Sequence, residues 1–539
     1  MTLSQSFKFP LLLVCATCVC LSASYQVVIR TNVHAVEVSV IATDSKGLPV
    51  SGLGVSDFRV FDNGKEQTIA SFEKISSRAA PSQAVLPPNT YSNRVGEAGQ
   101  LGKAKQPQVL SMILLDAVNT KYRNQTVVRQ AVASILEQID PAERVAIYAF
   151  GSKFRVLHDF SSDRASLLAK LKAYHGEVPS GNDLLEELEL DISEDHGMIF
   201  RPPPEVKARY DANRAIDTFD ALEAIANHVK GVPGRKNLLW LSAAFPMTVG
   251  TAQRTIAPSA GYSGPLDQWR AFGTEMNRTM AVLNDANVSV YPIDARGLSK
   301  QMFKLGSDDP KDPNTNIHTM TQIADATGGV AYHDRSDLDR GVRMALDDSR
   351  EVYVMTYYPK VIAEDGAYHE IRVRSTRPDV RLRFRRGYYA TGREEDSSAS
   401  AVDRLARALS SPLDSSEIGI QASVEPGGAN DVDVVIRVDP ADLSLAHNTE
   451  RWTGSLRMVG VQIGATGERY EGVTQTAQLD LRPETYQRAL EQGLRLELRL
   501  KREPDAVAVR VAVVDERGAH VGSLSVPLPL QAAQPEVHR

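Results

Sequence analysis

Short apolar runs alternate with segments of helical periodicity through the middle of the chain. The apolar runs predict buried strands at 109–115, 144–150, 237–243, 288–293, 330–332 and 351–358. The helical spacing predicts helices at 122–138, 163–174, 217–230, 266–286, 317–327 and 336–349. Residues 154–160 follow a predicted strand so closely that they predict an antiparallel edge hairpin. Strands that alternate with helices indicate a doubly wound, mostly parallel sheet.

Both flanks of this region carry a β pattern instead. Val36, Val38 and Val40 alternate with polar residues, which predicts a half-buried strand in a small β-sandwich-like module over 27–75. Alternating segments near the other end of the chain predict a second β-sandwich-like domain over 415–530. The predicted fold class is therefore multidomain α/β plus β, with a central doubly wound, mostly parallel sheet between β-sandwich-like modules.

The remaining segments complete the predicted domain plan. A central α/β domain is expected over 108–390, with linkers at 76–107 and 391–414. Inside the central domain, the acidic, proline-containing residues 176–212 read as an insertion. Two further strand patterns, near 368–375 and 380–386, predict an antiparallel extension at its carboxyl end.

The first residues of the chain have the pattern of an export signal. Lys8 precedes an apolar stretch that is too short for a comfortable membrane span, and small residues follow near residue 24. The three cysteines, Cys15, Cys18 and Cys20, all lie inside this segment. We therefore expect a signal peptide over 1–24 and a periplasmic or secreted mature chain without disulfides. Lipoprotein anchoring through one of these cysteines is the less favoured alternative.

Composition narrows the classes of partner. The chain has 539 residues and a net charge of −6. This charge argues against nonspecific nucleic-acid binding, which needs concentrated Lys and Arg. No other stretch of the sequence has the length and hydropathy of a membrane span. Neither a nucleic-acid partner nor an integral membrane span is therefore expected, and the oligomeric state is left open.

Asp116 stands where an open α/β sheet builds ligand sites. It ends a buried apolar run, and Ala117-Val118-Asn119-Thr120 follows before the predicted helix. Ligands of such sheets bind outside the carboxyl ends of the strands. Asp116, Asn119 and Thr120 are therefore candidate ligand-binding residues.

Six segments together resemble one family. They are Val50–Leu53, Asp57–Gly64, Leu115–Thr120, Pro233–Leu238, Tyr291–Gly297 and Ala326–Gly329. The order and spacing of these segments resemble von Willebrand factor A (VWA) domains, and more narrowly the acidobacterial type of VWFA-related proteins, over about residues 30–390. The resemblance implies the strand order 3-2-1-4-5-6 and an exported, non-catalytic binding role.

The resemblance also implies a metal-ion-dependent adhesion site, which this sequence keeps only in part. In intact members a divalent cation is held by an Asp and two hydroxyls of the first loop, a Thr of a second loop and an Asp after strand four. Asp116 and Thr120 keep two of these positions, and Thr218 is the candidate for the second-loop Thr. Val118 cannot coordinate, and the strand-four position falls near Ser242 or Ala243, neither of which is acidic. The implied site is degenerate, and any Mg²⁺ would bind weakly.

Two further readings of this region follow from the sequence. Asp294 ends the fifth strand, two places from the first, so it should lie about 10 Å from Asp116 at the same sheet edge. This distance allows contact through water, which makes Asp294 a fourth candidate ligand-binding residue. Alternatively, Asp116 only caps the amino terminus of the helix at 120–122 without any metal.

The sequence thus favours an exported, non-enzymatic, protein-binding protein, in adhesion or envelope interaction, with a degenerate metal site. No zinc-protease, nucleophile-elbow or phosphate-loop motif appears in it. The alternatives are a hydrolase with an unrecognised site and a purely structural envelope component. An assembled acid–base pair in the structure would favour the hydrolase.

Overall fold

A computed structural model gives the fold of most of the chain. It describes residues 36–76, 86–94, 101, 109–120, 122–137, 139, 143–177, 204–243, 266–295, 315–333, 338–348, 351–359, 368–389, 401–426, 430–447, 450–518 and 520–529. The predicted signal peptide and its three cysteines lie outside these residues.

Helices and strands follow the chain in alternating groups. The helices are α1 (Tyr122–Leu136), α2 (Arg164–Ala173), α3 (Pro204–Val229), α4 (Leu266–Asp285), α5 (Thr315–Thr327), α6 (Leu338–Asp347), α7 (Ala401–Ser410) and α8 (Pro483–Gln492). Strands β1 to β11 are Val36–Thr43, Phe58–Asp62, Lys65–Gln67, Ile69–Ser76, Thr90–Ser92, Leu110–Asp116, Val145–Phe150, Phe154–Ser161, Lys236–Ser242, Val288–Asp294 and Glu351–Tyr357. Strands β12 to β22 are Tyr368–Ser375, Arg381–Arg383, Gly387–Tyr389, Ile420–Pro426, Asp431–Val438, Ala446–His447, Trp452–Gly464, Val473–Leu481, Leu494–Lys501, Ala506–Asp515 and Val521–Pro527.

Five strands form the central sheet in the order β10-β9-β6-β7-β8. β10, β9, β6 and β7 are parallel, and β8 turns back along β7 as the expected antiparallel edge strand. Tyr332 adds a single parallel bridge to Ile293, on the far side of β10. Numbered along the chain, the order is 3-2-1-4-5 with the bridge in the sixth place, which confirms the strand order that the resemblance implies.

Helices cover both faces of this sheet. Alternate residues of β6 point to opposite faces, because successive side chains of a strand do so. Leu110, Met112 and Leu114 share a core with α3, α4 and α5. Ile113 and Leu115 share a second core with α1, α2 and α6. The prediction of a doubly wound α/β sheet is confirmed.

The first β unit takes strands from both sides of the central domain. One sheet has the order β13-β1-β11-β4 and the other β14-β12-β2-β3, and their apolar faces share one core. The sequence placed the apolar residues 351–358, and the strands near 368–386, in the central domain. The structure instead pairs β11 with β1 and β4, and β12 with β2. An apolar run alone cannot show which sheet will bury it.

The second β unit also borrows a strand. Its sheets have the orders β20-β16-β15-β5 and β17-β18-β21-β22, with β19 paired to β18, and a common core lies between them. β5 comes from the segment that the sequence assigned to the linker 76–107. Helix α7 likewise falls within the predicted linker 391–414, and it packs on β21 and β22. Helix α3 begins at Pro204, inside the predicted insertion 176–212.

Among the described residues, no helix has both the length and the apolar composition needed to cross a membrane.

Candidate functional site

Asp116 is buried at the carboxyl end of β6, at 2% exposure. Its Oδ1 accepts the backbone N–H of Asn119 at 2.9 Å, and its Oδ2 accepts the Asn119 side-chain amide at 2.8 Å. The indole Nε1 of Trp240 donates to Oδ2 at 2.9 Å, and the Ser242 side chain makes a further hydrogen bond to the carboxylate. A carboxylate offers about four acceptor positions. Four protein donors therefore account for all of them.

The Asn119 amide links Asp116 to helix α3. Its Nδ2 donates to Asp116 and also to Thr218 Oγ1, at 3.0 Å. Its Oδ1 accepts from Arg214, with Nε at 3.2 Å and one terminal nitrogen at 3.0 Å. A carboxylate can only accept and a guanidinium can only donate, so the two neighbours fix which way the amide points. The structure thus places Thr218 beside the Asp116 loop, as the sequence expected.

The other residues of the implied metal site are engaged as well. Thr120 Oγ1 accepts the backbone N–H of Ala243 at 3.1 Å, across from the end of β9. Thr218 Oγ1 donates to the carbonyl of Arg214 at 2.7 Å while it accepts from Asn119. Both strand-four positions named from the sequence, Ser242 and Ala243, therefore contact this loop as hydrogen-bond partners.

These residues do not fit a divalent cation. Mg²⁺ needs oxygen lone pairs that point into one shared space. Here the Asn119 amide nitrogen takes the place between Asp116 and Thr218, and Val118 presents an apolar side chain. The Arg214 guanidinium, bound to the other end of the same amide, adds a fixed positive charge beside the loop. Cation binding would have to break this network first.

Burial shapes the electrostatics of Asp116. Loss of hydration raises the pKa of this carboxyl above its ordinary value, while the hydrogen bonds from Asn119, Trp240 and Ser242 act in the opposite direction. Donors aimed at a buried carboxylate compensate for much of the water that it has lost. The network therefore stabilises a loop of fixed shape around an acidic group that solvent does not reach.

Asp116 does not cap helix α1. The backbone N–H that it accepts belongs to Asn119, three residues before the helix begins at Tyr122. The carboxylate instead closes the turn between strand and helix through a bond to the backbone N–H three residues later. The capping alternative drawn from the sequence is therefore wrong in its geometry, although it named the right kind of partner.

Asp294 lies at the same sheet edge as Asp116. It ends β10, in parallel register with Ser242 of β9, and Ser242 reaches the Asp116 carboxylate. Asp294 is therefore two strands from Asp116 at the same edge, and is itself buried at 8% exposure. Its backbone N–H donates to the Tyr332 carbonyl at 2.9 Å. Binding of a ligand by Asp294 stays a prediction.

Gln125 ties the first turn of α1 to the Asp116 loop and to residue 177. Its Nε2 donates to the carbonyls of Thr120 at 3.0 Å and Glu177 at 2.9 Å, and its Oε1 accepts the Glu177 N–H at 3.0 Å. The Glu177 carboxylate accepts from the backbone N–H and the hydroxyl of Ser152, both at 2.8 Å. Glu177 immediately precedes residues 178–203, which lie outside the described part of the chain.

Sequence reasoning missed two residues of this site. Trp240 stands in the middle of an apolar strand, and Arg214 lies between the predicted insertion 176–212 and the predicted helix 217–230. The tryptophan did carry a signal, because a buried indole N–H usually has a hydrogen-bond partner. No sequence signal pointed to Arg214, because nothing in the sequence showed that α3 begins early enough to bring this residue to the sheet edge.

An acid–base pair does occur in the structure, but in the first β unit. The Nδ1 atom of His369 lies 2.9 Å from Asp62 Oδ1. The hydroxyls of Tyr357 and Tyr388 both donate to Asp62 Oδ2, each at 2.9 Å. These four residues belong to β2, β11, β12 and β14, so the cluster joins strands of both sheets. Each contact here accounts for a buried polar group, as a structural role requires.

The comparisons with known proteins add little to this picture. No protein-family model matches the chain, and no curated protein matches it. An aerotolerance-related membrane protein from Bacteroides fragilis is similar over 44% of this chain and 98% of its own, at 8% identity and a TM-score of 0.23. Proximal thread matrix protein 1 from the mussel byssus, with a zinc-occupied MIDAS motif, is similar over 47% of this chain and 48% of its own, at 9% identity and a TM-score of 0.22. The human COPII-coat protein Sec24c is similar over 56% of this chain and 46% of its own, at 10% identity and a TM-score of 0.22.

TM-scores of this size carry no argument, and the account of the fold rests on the strand order and packing given above.

Proposed function

We propose that this chain is an exported, non-enzymatic protein of the VWFA-related type, and that its central domain binds another protein at the carboxyl edge of the sheet. Binding there would be independent of metal. The observation that carries the proposal is the closed network of Asp116, in which an amide and an indole supply contacts that a cation would otherwise make. A rigid loop is a preorganised surface for a partner.

Two exposed apolar side chains on the two helices that contact this loop support a protein partner. Tyr122, the first residue of α1, is 41% exposed, and Ile216, between Arg214 and Thr218 on α3, is 43% exposed. Aromatic and large aliphatic residues are the usual anchors of protein interfaces. Their position agrees with the general rule that open α/β sheets bind at the carboxyl ends of their strands.

The test is capture of a partner by a photo-crosslinker at the loop. The full chain carries the crosslinker at Ser152, which is exposed at the same sheet edge, and is exposed to an envelope extract with and without chelator. We expect one crosslinked protein in equal yield in both samples. Tyr122→Ala combined with Ile216→Ala should reduce the yield at least tenfold, which corresponds to about 1.4 kcal/mol.

Leu48→Ala is the matched control. Leu48 is 60% exposed and belongs to the first β unit, so its loss should leave the yield unchanged. A yield that disappears with chelator would contradict metal-independent binding. Equal yields from the control and the double variant would show that this edge is not the interface.

The His369–Asp62 pair raises a hydrolase as the second candidate function. An orienting carboxylate on one ring nitrogen is how a general base is held. Among the described residues, however, this histidine bonds to Asp62 and to the Tyr388 hydroxyl, and no serine or threonine hydroxyl contacts it. Hydrolysis of a panel of ester and peptide substrates that is abolished by His369→Gln would favour the enzyme. Hydrolysis rates that stay at background in both the wild type and His369→Gln would rule out the hydrolase.

A further inference from the structure

The second β unit holds a segment that comes from more than 300 residues earlier in the chain. Strand β5, Thr90–Ser92, pairs antiparallel with β15, with Ser92 opposite Gln421 and Thr90 opposite Ser423. Asn93 continues this pairing, and its backbone N–H donates to the Ile420 carbonyl at 3.2 Å. The sheet is thus extended by an added strand, which is how many domains recognise extended peptides.

The Asn93 side chain forms hydrogen bonds with three backbone groups. Its Nδ2 donates to the carbonyls of Ser415 at 2.6 Å and Ile418 at 2.8 Å, and its Oδ1 accepts the N–H of Ile420 at 2.8 Å. The side chain is buried, at 3% exposure. An aspartate would place acceptors against two carbonyls, and a leucine would remove the side-chain partner of the Ile418 carbonyl and of the Ile420 N–H. This position therefore selects an amide.

The Arg94 side chain forms ion pairs with two carboxylates. One of its terminal nitrogens lies 2.5 Å from Asp439 Oδ2 and 2.8 Å from Asp442 Oδ2. Its side chain is 10% exposed and those of the aspartates 2% and 7%. Gly419 supplies the room, because a Cβ there would lie 2.3 Å from Arg94 Nε. Buried paired charges of this kind discriminate strongly against a neutral or acidic side chain.

We propose that the second β unit contains a peptide-recognition groove for an extended strand that ends in Asn-Arg, and that residues 90–94 fill this groove within the same chain. The edge of β15 supplies the strand pairing, the backbone at 415–420 reads asparagine, and Asp439 with Asp442 reads arginine. A tethered segment competes at an effective concentration of about millimolar. A partner strand therefore gains access when the chain's own segment is released.

The experiment releases the segment in the full-length chain. Asn93→Ala with Arg94→Ala removes both anchors and leaves every wall of the groove intact. The probe is a fluorescent peptide of residues 86–95, measured by anisotropy. We expect this double variant to bind the peptide at least about tenfold more tightly than the wild type, in which the tethered segment competes. A peptide with glutamate in place of Arg94 should not bind.

Groove variants complete the test. Adding Asp439→Asn and Asp442→Asn to the released chain should abolish binding. Adding Asp433→Asn, which removes an exposed carboxylate of the same sheet paired with Arg499, should not. If the double variant does not fold, Arg94→Ala alone keeps the contacts of Asn93 and should give an intermediate affinity. Equal binding by wild type and released chains, or binding that survives loss of both aspartates, would overturn the proposal.

Discussion

The two ends of the central sheet bury polar groups of opposite charge, and they do so for different reasons. At the carboxyl end, Asp116 is enclosed by neutral donors from its own loop and from β9. At the amino end, Arg235 and Lys236 open β9, and both are only 1% exposed. Arg235 donates to Tyr291 Oη and to the Gly328 carbonyl, each at 2.9 Å. Sheet ends that look equally rich in chemistry can thus differ in role.

The amino end is a junction between domains. Asn287, which precedes β10, donates to Glu37 Oε1 at 2.6 Å and Ser39 Oγ at 2.9 Å of β1. Arg385 donates to the carbonyls of Glu37 at 2.8 Å and Asn284 at 2.9 Å. The segments Pro233–Leu238 and Ala326–Gly329, which contribute to the family resemblance, meet here. They therefore join the central domain to the first β unit and do not line the Asp116 site.

The largest expected effect comes from crowding this junction. Gly329→Ala would place a Cβ 1.9 Å from the Val290 carbonyl oxygen of β10, so backbone must move. We expect a loss of about 3 kcal/mol of unfolding free energy, the upper end of the usual cost of overpacking, measured by urea denaturation. Gly273→Ala on α4, where nothing lies within 4 Å, is the control and should stabilise by about 0.5–1 kcal/mol. Equal effects would show that the close packing at Gly329 is not real.

At the carboxyl end, Asp116→Ala should cost about 2–4 kcal/mol, because the donors of Trp240 and Asn119 lose a buried acceptor. The cost should be the same with and without millimolar Mg²⁺. Asp163→Ala, which removes the cap of α2 on the surface, is the control at about 1 kcal/mol. A melting shift with Mg²⁺ in the wild type, lost in Asp116→Ala, would contradict the closed network.

The buried Lys236 amine predicts that the stability of the fold depends on pH. Burial lowers the pKa of Lys236 to about 7, while the Glu37 carboxylate acts in the opposite direction. The folded chain then binds fewer protons than the unfolded chain between about pH 7 and about pH 10, so stability should rise with pH across this window. The contribution is at most about 1.4 kcal/mol per pH unit. Lys236→Met should flatten the rise in denaturation midpoints, and an unchanged slope would argue against a buried neutral amine.

The smallest expected effect is a restored motif residue. Val118→Ser gives back the hydroxyl that the resemblance finds missing, yet the Asn119 amide still stands between Asp116 and Thr218. We expect no Mg²⁺-dependent melting shift from this change. A ligand that binds only the native state would stabilise it, and we expect any such stabilisation by Mg²⁺ to stay below about 0.5 kcal/mol. A clear shift would mean that Val118 alone had prevented coordination.

Local patterning predicted the central sheet well. The apolar runs and their spacing gave the strands and the edge hairpin, because burial on both faces leaves a continuous apolar run in the sequence. The strand order was what the family resemblance implied. The places of Asp116 and Asp294 at strand ends followed from the same pattern of apolar runs, whereas Thr218 was named from the family resemblance. The domain boundaries did not follow, since β5, β11 and β12 pair with strands far away in the sequence.

The sequence by itself determined the elements, the acidic residue at the end of the first strand and the absence of a complete metal motif. Only the tertiary structure decided what surrounds that residue. The Trp240 indole, the Arg214 guanidinium and the Asn119 amide come together because a strand, a helix and a loop meet at one edge. The same holds for Asn93 and Arg94 in their groove. Hydrogen bonds depend on distance and direction between groups that the chain brings together only on folding.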